Sequence, residues 1–307
     1  MPEHLPFALY DCFSDSPFGG SQAAVVSNAA GLSADIRERI ARELGLPATA
    51  FVAACNSHEI DVRFLSTVME LPMCGHGTLG LVTRMVELGK LTQDADKPLD
   101  VTLNLPAGPA SLAVSPRDDG RPMIMLEVRP PAFRNDDIDV ERLCGLLGLT
   151  PADLSDTLPL ETAAADFIHL VVPLRGLAGM RRITPDFGGI DKLCHDHGLE
   201  TIVVICTQTE RAHSTVHVRD FCPAVGVPES AAAGTTNAAV SSYLLRHGLV
   251  GADDTGNVKV WAEQGIELSR PSEVHTRITL VDGKIAKLKV GGVATKIAEG
   301  TLLVPAS

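Results

Sequence analysis

At 307 residues the chain has room for two domains of ordinary size, and 45% hydrophobic against 21% charged residues describes a globular protein with a substantial core. A formal charge of −12, with no clustered Lys/Arg stretch, excludes the basic face that nucleic-acid binding requires. The opening Met1-Pro2-Glu3-His4 does not read as a signal peptide, no apolar run approaches the roughly 18 residues of a membrane span, and seven cysteines without compact spacing point to reduced thiols in a cytosol. The expectation is a cytoplasmic protein with no membrane segment and no nucleic-acid partner. One Trp, two Tyr and nine Phe leave the core to Val, Leu, Ile and Ala.

In chain order, Phe7 to Cys12 alternates like a first strand, Asp15-Ser16-Pro17-Phe18-Gly19-Gly20 is a turn, and Ala23 to Ser27 reads as the next strand. Ser33 caps a helix over Ala34 to Leu44, with Ile36, Ile40 and Leu44 on one face and Gly45 as its stop. Thr49 to Ala54 and Val62 to Leu65 are strands leading into Glu70-Leu71-Pro72-Met73-Cys74-Gly75-His76-Gly77-Thr78, which opens a helix at Thr78 that closes near Gly89. Leu99 to Leu105 and Ala110 to Val114 form a strand pair, and the cluster Ser115 to Gly120 marks a domain boundary. Beyond it come a strand over Met123 to Val128, a short helix over Asp139 to Leu147, strands at Phe167 to Val172 and Thr201 to Cys206, and a helix over Pro185 to His197 between them. Thr215 to Phe221 then leads into a second strand-turn-helix.

The motif at residues 70–78 carries the clearest chemistry. Gly75 and Gly77 have no Cβ to keep a ligand away, and the unpaired N–H groups of a helix start favour an anion such as a carboxylate. A thiol there is expected to ionise more readily than a free one. Cys74 and His76 therefore read as a thiol and an imidazole at an anion-binding helix end, or, in a purely structural reading, as a buried Cys and a turn His.

The segment from Phe221 echoes the one from Phe64. Phe64/Phe221, Val68/Val225, Gly77/Gly234 and Thr78/Thr235 each lie 157 residues apart, which suggests a duplicated domain with one glycine-started helix per half. At that offset Cys74 falls on Ala231 and His76 on Ala233, so the second half lacks the thiol and the imidazole; its nearest polar groups are Glu229, Ser230, Thr235 and Asn237.

These residues resemble the PhzF-like (phenazine-biosynthesis) isomerase family, whose wider relatives are diaminopimelate epimerase and proline racemase. The similarity runs through Asp11-Cys12-Phe13, Pro17 to Val26, Thr49-Ala50-Phe51-Val52, Glu70 to Thr78, Pro223 to Glu229 and Gln264 to Ser272. The resemblance implies an α+β fold of two pseudo-symmetric diaminopimelate-epimerase-like domains, each a curled, mostly antiparallel, barrel-like sheet around a central helix. The expected domains are 1–118 with about 295–307, and 119–294, with the active-site cleft between them. It also implies no metal or organic cofactor, a homodimer, and proton transfer on a small carboxylate substrate.

Carried over residue by residue, the family's acid/base glutamate falls on Ala48 and its aspartate on Ser230, so both carboxylates are replaced. His76 is kept, and the hydroxyl residue at the second helix start is kept as Thr235. Cys74 and His76 are the expected catalytic residues, with Cys74 as a thiolate base and His76 as its partner acid or as a donor to the substrate carboxylate. Gly75, Gly77, Thr78, Ser21, Ser230, Gly234 and Thr235 are the expected substrate-binding residues.

A one-base outcome, a double-bond shift or tautomerisation, is favoured, possible substrates including an amino-acid-derived unsaturated ring of natural-product biosynthesis. A cysteine-dependent lyase, dehydratase or epimerase, and a ligand-binding member that has lost catalysis, are the alternatives. Cys194-His195-Asp196-His197 is too tightly spaced for one tetrahedral metal site, and Gly19-Gly20 and Gly291-Gly292 have no Walker-type lysine nearby.

Overall fold

The computed structural model describes residues 3–94 and 97–304. In chain order it contains β1 (Glu3–Cys12), β2 (Ser21–Val26), α1 (Ala34–Leu44), β3 (Ala48–Cys55), β4 (Glu59–Leu65), β5 (Glu70–Leu71), α2 (Gly75–Glu87), β6 (Leu99–Leu105), β7 (Gly108–Pro116) and β8 (Pro122–Val128). There follow β9 (Ala132–Arg134), α3 (Val140–Leu146), β10 (Glu161–Ala164), β11 (Ile168–Pro173), α4 (Leu177–Arg182), α5 (Phe187–His197), β12 (Thr201–Cys206), β13 (Val216–Phe221) and β14 (Glu229–Ser230). The last elements are α6 (Gly234–Arg246), β15 (Asn257–Gln264), β16 (Ser272–Val281), β17 (Lys284–Gly292) and β18 (Ala294–Val304).

The chain forms two compact units, Met1–Glu127 with Gly291–Ser307, and Val128–Val290. The expected division lay at 118/119 and near 294/295, with its last residues, 305–307, outside the described residues. Ser115 to Gly120 is not a linker: Pro116 pairs with Pro122, so the cluster turns the β7–β8 hairpin inside the first unit. Turn-forming residues mark a reversal of the chain equally well whether it joins two strands or two domains.

In the first unit the pairing runs β18–β1–β2–β3–β4–β6–β7–β8, with β5 sharing the β6 side of β4. Only β2–β3 and β4–β6 are parallel, and these are the two connections that contain α1 and α2, since a parallel pair needs a long crossover. Ser33 caps α1 by accepting from Ile36 N, and Gly45 ends it at φ 66°. Its Ile40 and Ala41 bury against Val26, Phe51 and Leu65. Helix α2 has no solvent face over Gly77–Met85 and packs on β1, β2, β3 and β18.

The second unit repeats this plan. Its pairing runs β9–β10–β11–β12–β13–β15–β16, with β14 on the β15 side of β13 and parallel pairs at β11–β12 and β13–β15. Helix α6 is buried continuously over Thr236–Leu244. Helices α3, α4 and α5 cover the other side of the sheet through Leu143, Met180, Ile190 and Leu193. Strands β9 and β10 and helix α4 are too short for a periodicity to show in the sequence.

The duplication is real in each unit's topology, but its register differs from the gapless offset of 157. Helices α2 and α6 open at Gly75 and Gly234 and close at Glu87 and Arg246, an offset of 159 at both ends. The side chains of Thr78 and Asn237 donate to the carbonyls of Cys74 and Ala233, each at 2.8 Å, which fixes the same register independently. Leu65 pairs with Glu70 and Phe221 with Glu229, so the intervening turn holds Ser66–Met69 in one unit and the longer Cys222–Pro228 in the other. Cys74 therefore matches Ala233, His76 matches Thr235 and Gly77 matches Thr236. On the strand, Phe64 matches Asp220 and Leu65 matches Phe221. Leu65 and Phe221 each join the core on the outer face of their sheets, a face that a slip of one residue would reverse.

Gly20 shows how tightly the first turn is built. It sits at φ 55°, and a Cβ there would lie 1.9 Å from the Cys12 carbonyl oxygen. Gly20→Ala is expected to destabilise the protein by at least about 3 kcal/mol in urea unfolding; a midpoint equal to wild type would show that the turn can open without cost.

Candidate active site

The first turn of α2 brings together Cys74, Gly75, His76, Gly77 and Thr78. Cys74, not Thr78, is the N-cap, at φ −144° and ψ 109°, and its Sγ accepts from Gly77 N at 3.4 Å. The helix thus starts three residues before the expected opening. Thr78 lies inside it, fully buried, with its hydroxyl on the Cys74 carbonyl at 2.8 Å. A Cβ on Gly77 would stand 3.0 Å from the Phe64 ring and 3.1 Å from Cys74 Sγ, so this glycine permits close packing rather than ligand approach. A Cβ on Gly75 would meet nothing within 4 Å, which leaves that position open.

Cys74 Sγ lies 3.6 Å from His76 Nδ1 and 3.7 Å from Nε2. Cys74 is 6% exposed, and burial pushes its thiol up to about 12 against the opposing pull of the Gly77 and His76 N–H groups. This reverses the expected direction: the helix start does favour the thiolate, but loss of water outweighs it. His76 is half-buried, and the packing around its ring lowers its pKa to about 4, again through desolvation. At neutral pH the pair is a thiol beside an uncharged imidazole.

Ser21 opens β2 opposite Cys12, and Ala48 opens β3 opposite Ala23, fully buried. In the second unit Gly234 is the first residue of α6, half-buried Thr235 follows it, and Ser230 pairs with Asp220 across β14 and β13. The Ser230 carbonyl accepts from Gln264 Nε2, and Asn237 Nδ2 bonds Gln264 Oε1 at 2.7 Å, an amide chain beneath the first turn of α6.

All seven cysteines are unpaired, and no helix among the described residues is long and apolar enough to cross a membrane. At the end of α5, Cys194 faces the core while His195 is turned outward onto the Asp191 carbonyl, so neighbours in sequence point apart.

The sequence reading missed several buried polar groups of the second unit: His169, Thr201, His217, Asp220 and Thr236. The available signal was a histidine or a charge inside a strand whose other residues are apolar, as in Ile168-His169-Leu170-Val171-Val172. His217, with no exposed side-chain surface, is held between Glu263 at 2.7 Å and Glu267 at 2.9 Å. Glu263 is buried in β15 and also accepts from the N–H groups of Glu210 and Arg211.

A duplicated α+β unit with a buried central helix and polar groups on its first turn defines the diaminopimelate-epimerase-like fold. The chain belongs to the phenazine biosynthesis-like family, PhzC-PhzF, whose model matches residues 10–300. It is 28% identical over 305 residues to an uncharacterized isomerase of Mesorhizobium japonicum, covering 97% of this chain and 98% of the relative. It is 26% identical over 299 residues to the trans-2,3-dihydro-3-hydroxyanthranilate isomerase of Pseudomonas chlororaphis, covering 97% and 99%. The crystal structure of a Bacillus anthracis phenazine biosynthesis protein of the PhzF family has the same fold, with a TM-score of 0.87 at 24% identity and coverage of 98% and 100%. The chain is an isomerase of this family.

Two measurements check the electrostatics. Iodoacetamide at pH 8 should label Cys55, whose thiol is partly exposed, ahead of Cys74, which should react only on unfolding; first labelling at Cys74 would restore the thiolate. The two carboxylates raise the His217 pKa to about 9 despite its burial. A raised folded pKa contributes stability that is complete below the unfolded value near 6.5 and is lost as pH rises through about 9. The destabilisation caused by His217→Gln should therefore be large at pH 6 and shrink above pH 9, in urea titrations at each pH; a penalty independent of pH would show that His217 acts by packing alone.

Proposed function

We propose that this isomerase moves a proton within a small carboxylate substrate without a cofactor, and that His76 carries the proton. The observation that carries this reading is the uncharged imidazole on the first turn of α2, 3.6 Å from a thiol that burial keeps protonated. An imidazole in that state can accept a proton from a carbon acid at neutral pH, which the Cys74 thiol cannot. With Ala48 and Ser230 in place of the family carboxylates, His76 is the titratable side chain on the first turn free to do so.

The role of Cys74 then changes from base to support. Its Sγ caps the helix through Gly77 N and sits against the ring of His76, so it positions the imidazole. The amides of the same turn, with the open space at Gly75, supply the place for a substrate carboxylate and stabilise the enolate formed when the proton leaves. Returning the proton from His76 to another carbon completes a double-bond shift. Thr235 and Gly234, at the matching positions of α6, serve substrate binding in the second unit. The substrate class rests on the relative named a trans-2,3-dihydro-3-hydroxyanthranilate isomerase, an amino-acid-derived unsaturated ring bearing a carboxylate. A cytoplasmic location fits the seven unpaired thiols, and a homodimer, which sedimentation would test, follows from the family resemblance.

With trans-2,3-dihydro-3-hydroxyanthranilate in deuterated water, the wild type should introduce deuterium at carbon as it turns over. His76→Asn should lower kcat by at least about 100-fold, whereas Cys74→Ser, which keeps a capping oxygen, should stay within about tenfold of wild type. Full activity in His76→Asn together with loss in Cys74→Ser would return the chemistry to the thiol.

A further inference from the structure

Building on that reading of His76, we propose that the second unit holds a proton carrier of its own, His169, facing a small pocket beside Thr235 and backed through Thr201 by the buried carboxylate of Asp220. The pocket is small, belongs wholly to the second unit and is lined by Val128, Arg129, Phe167, His169, Thr235 and Ala238, among others. His169 is 2% exposed, with Nδ1 2.8 Å from Thr201 Oγ1 and no partner for Nε2 among the described residues. Asp220 is also 2% exposed. Its Oδ2 accepts from Thr236 Oγ1 at 2.8 Å, while Oδ1 has no hydrogen bond of ordinary geometry. The Thr201 hydroxyl stands close enough to Asp220 to favour its charged form, so it connects ring and carboxylate.

The internal duplication separates this array from an accident of packing. Strand pairing places Ala23 opposite Ala48 in the first unit and His169 opposite Thr201 in the second. Adding Phe64 with Gly77, and Asp220 with Thr236, gives four matched positions. In the first unit all four are apolar or glycine and well packed; in the second all four are polar and connected. Burying a carboxylate and an imidazole is costly, and the first unit shows that the fold closes over these positions without them. Asp220 also stands directly opposite Ser230, the position from which the family's aspartate is missing, and paired residues on adjacent strands share a face. A carboxylate has thus been regained one strand away.

The surrounding charges suit a neutral base. Arg129 and Asp166 at the mouth pair with each other, and Glu229, whose charge disfavours ionisation of Asp220, is itself held by Arg219. Burial lowers the His169 pKa to about 4 and raises that of Asp220 to about 6. The ring is uncharged and the carboxylate mostly ionised at neutral pH.

The step is a proton shift. An X–H or C–H bond of the substrate breaks, its proton passes to Nε2, and the electron pair stays in the conjugated system. The Nδ1–H remains bonded to Thr201, whose hydroxyl proton points to Asp220, so the imidazolium is stabilised as it forms. The Nε2–H bond then breaks as the proton passes to the far atom of the allylic system. Nothing is oxidised or reduced. His169 and Asp220 make up the titratable pair of the second unit. His169 is the catalytic residue of this pair; Thr201 and Asp220 position it.

The test uses the full chain with trans-2,3-dihydro-3-hydroxyanthranilate in deuterated water and ¹⁵N NMR of the histidine rings. His169→Gln should lower product formation by about 100-fold while deuterium still enters the carbon served by His76. Asp220→Asn should lower kcat by about tenfold with KM unchanged, and should shift the His169 ring nitrogens. Wild-type activity in His169→Gln, with His76→Asn inactive, would overturn the proposal and leave the reading of His76 standing. Wild-type activity in His76→Asn would overturn that reading instead. The ring spectrum of the wild type decides the relay even if a variant fails to fold or the probe is not turned over: protonation at Nδ1 with bare Nε2 supports it, and protonation at Nε2 overturns it.

Discussion

The constraint on which the architecture rests is the complete enclosure of one helix in each unit. A helix with no solvent face has to bury every side chain it carries, which is why α2 runs through Leu79, Leu81, Val82 and Met85, and α6 through Ala238, Ala239, Val240 and Leu244. Only the ends of such a helix are available for anything other than packing. Its first turn has amide groups that the helix itself cannot satisfy, so that turn is where polar chemistry collects. The sheet contributes by twisting around the helix, and the two parallel crossovers in each unit arise because α1 with α2, and α5 with α6, have to be threaded between strands.

At the first turn of α2, two effects on a thiol oppose each other. Hydrogen bonding from Gly77 N and the helix end stabilise a thiolate, and removal of water destabilises it. Desolvation prevails because Cys74 is both cap and core: the residue whose Sγ satisfies Gly77 N is itself buried. The same packing discharges His76, but for an imidazole the uncharged form is the one that accepts a proton. One physical cause therefore silences the sulfur and readies the ring.

The two units differ where the strands meet the first turn of the central helix. Ala23, Ala48, Phe64 and Gly77 keep that layer apolar in the first unit, whereas His169, Thr201, Asp220 and Thr236 make it polar in the second. The second unit carries further buried charge in Arg219 with Glu229 and in His217 with Glu263 and Glu267. Charges taken out of water need such partners, and the partners tie β13 to β14 and β15. The first unit's titratable pair sits on its helix; the second unit's sits on its strands, with Thr235 in place of His76.

Much of the fold was legible in the residues themselves. Helix α1 follows from Ser33, its apolar spacing and Gly45, strands β6 and β12 from their composition, and the duplication from glycines that recur near Phe64 and Phe221, because these are local preferences that tertiary contacts here reinforce. The motif at Cys74 to Thr78 was visible for the same reason. Register was not local: three further residues in the turn before β14 set the strand correspondence one position to one side of the gapless offset and the helix correspondence two positions to the other, and only strand pairing shows this. Nor could the sequence determine the ionisation of Cys74, or the meeting of His169, Thr201 and Asp220, which come from three separate strands. Side-chain pKa depends on the water that the whole fold excludes, and contact between distant residues depends on how the sheet closes, so both were decided by tertiary structure alone.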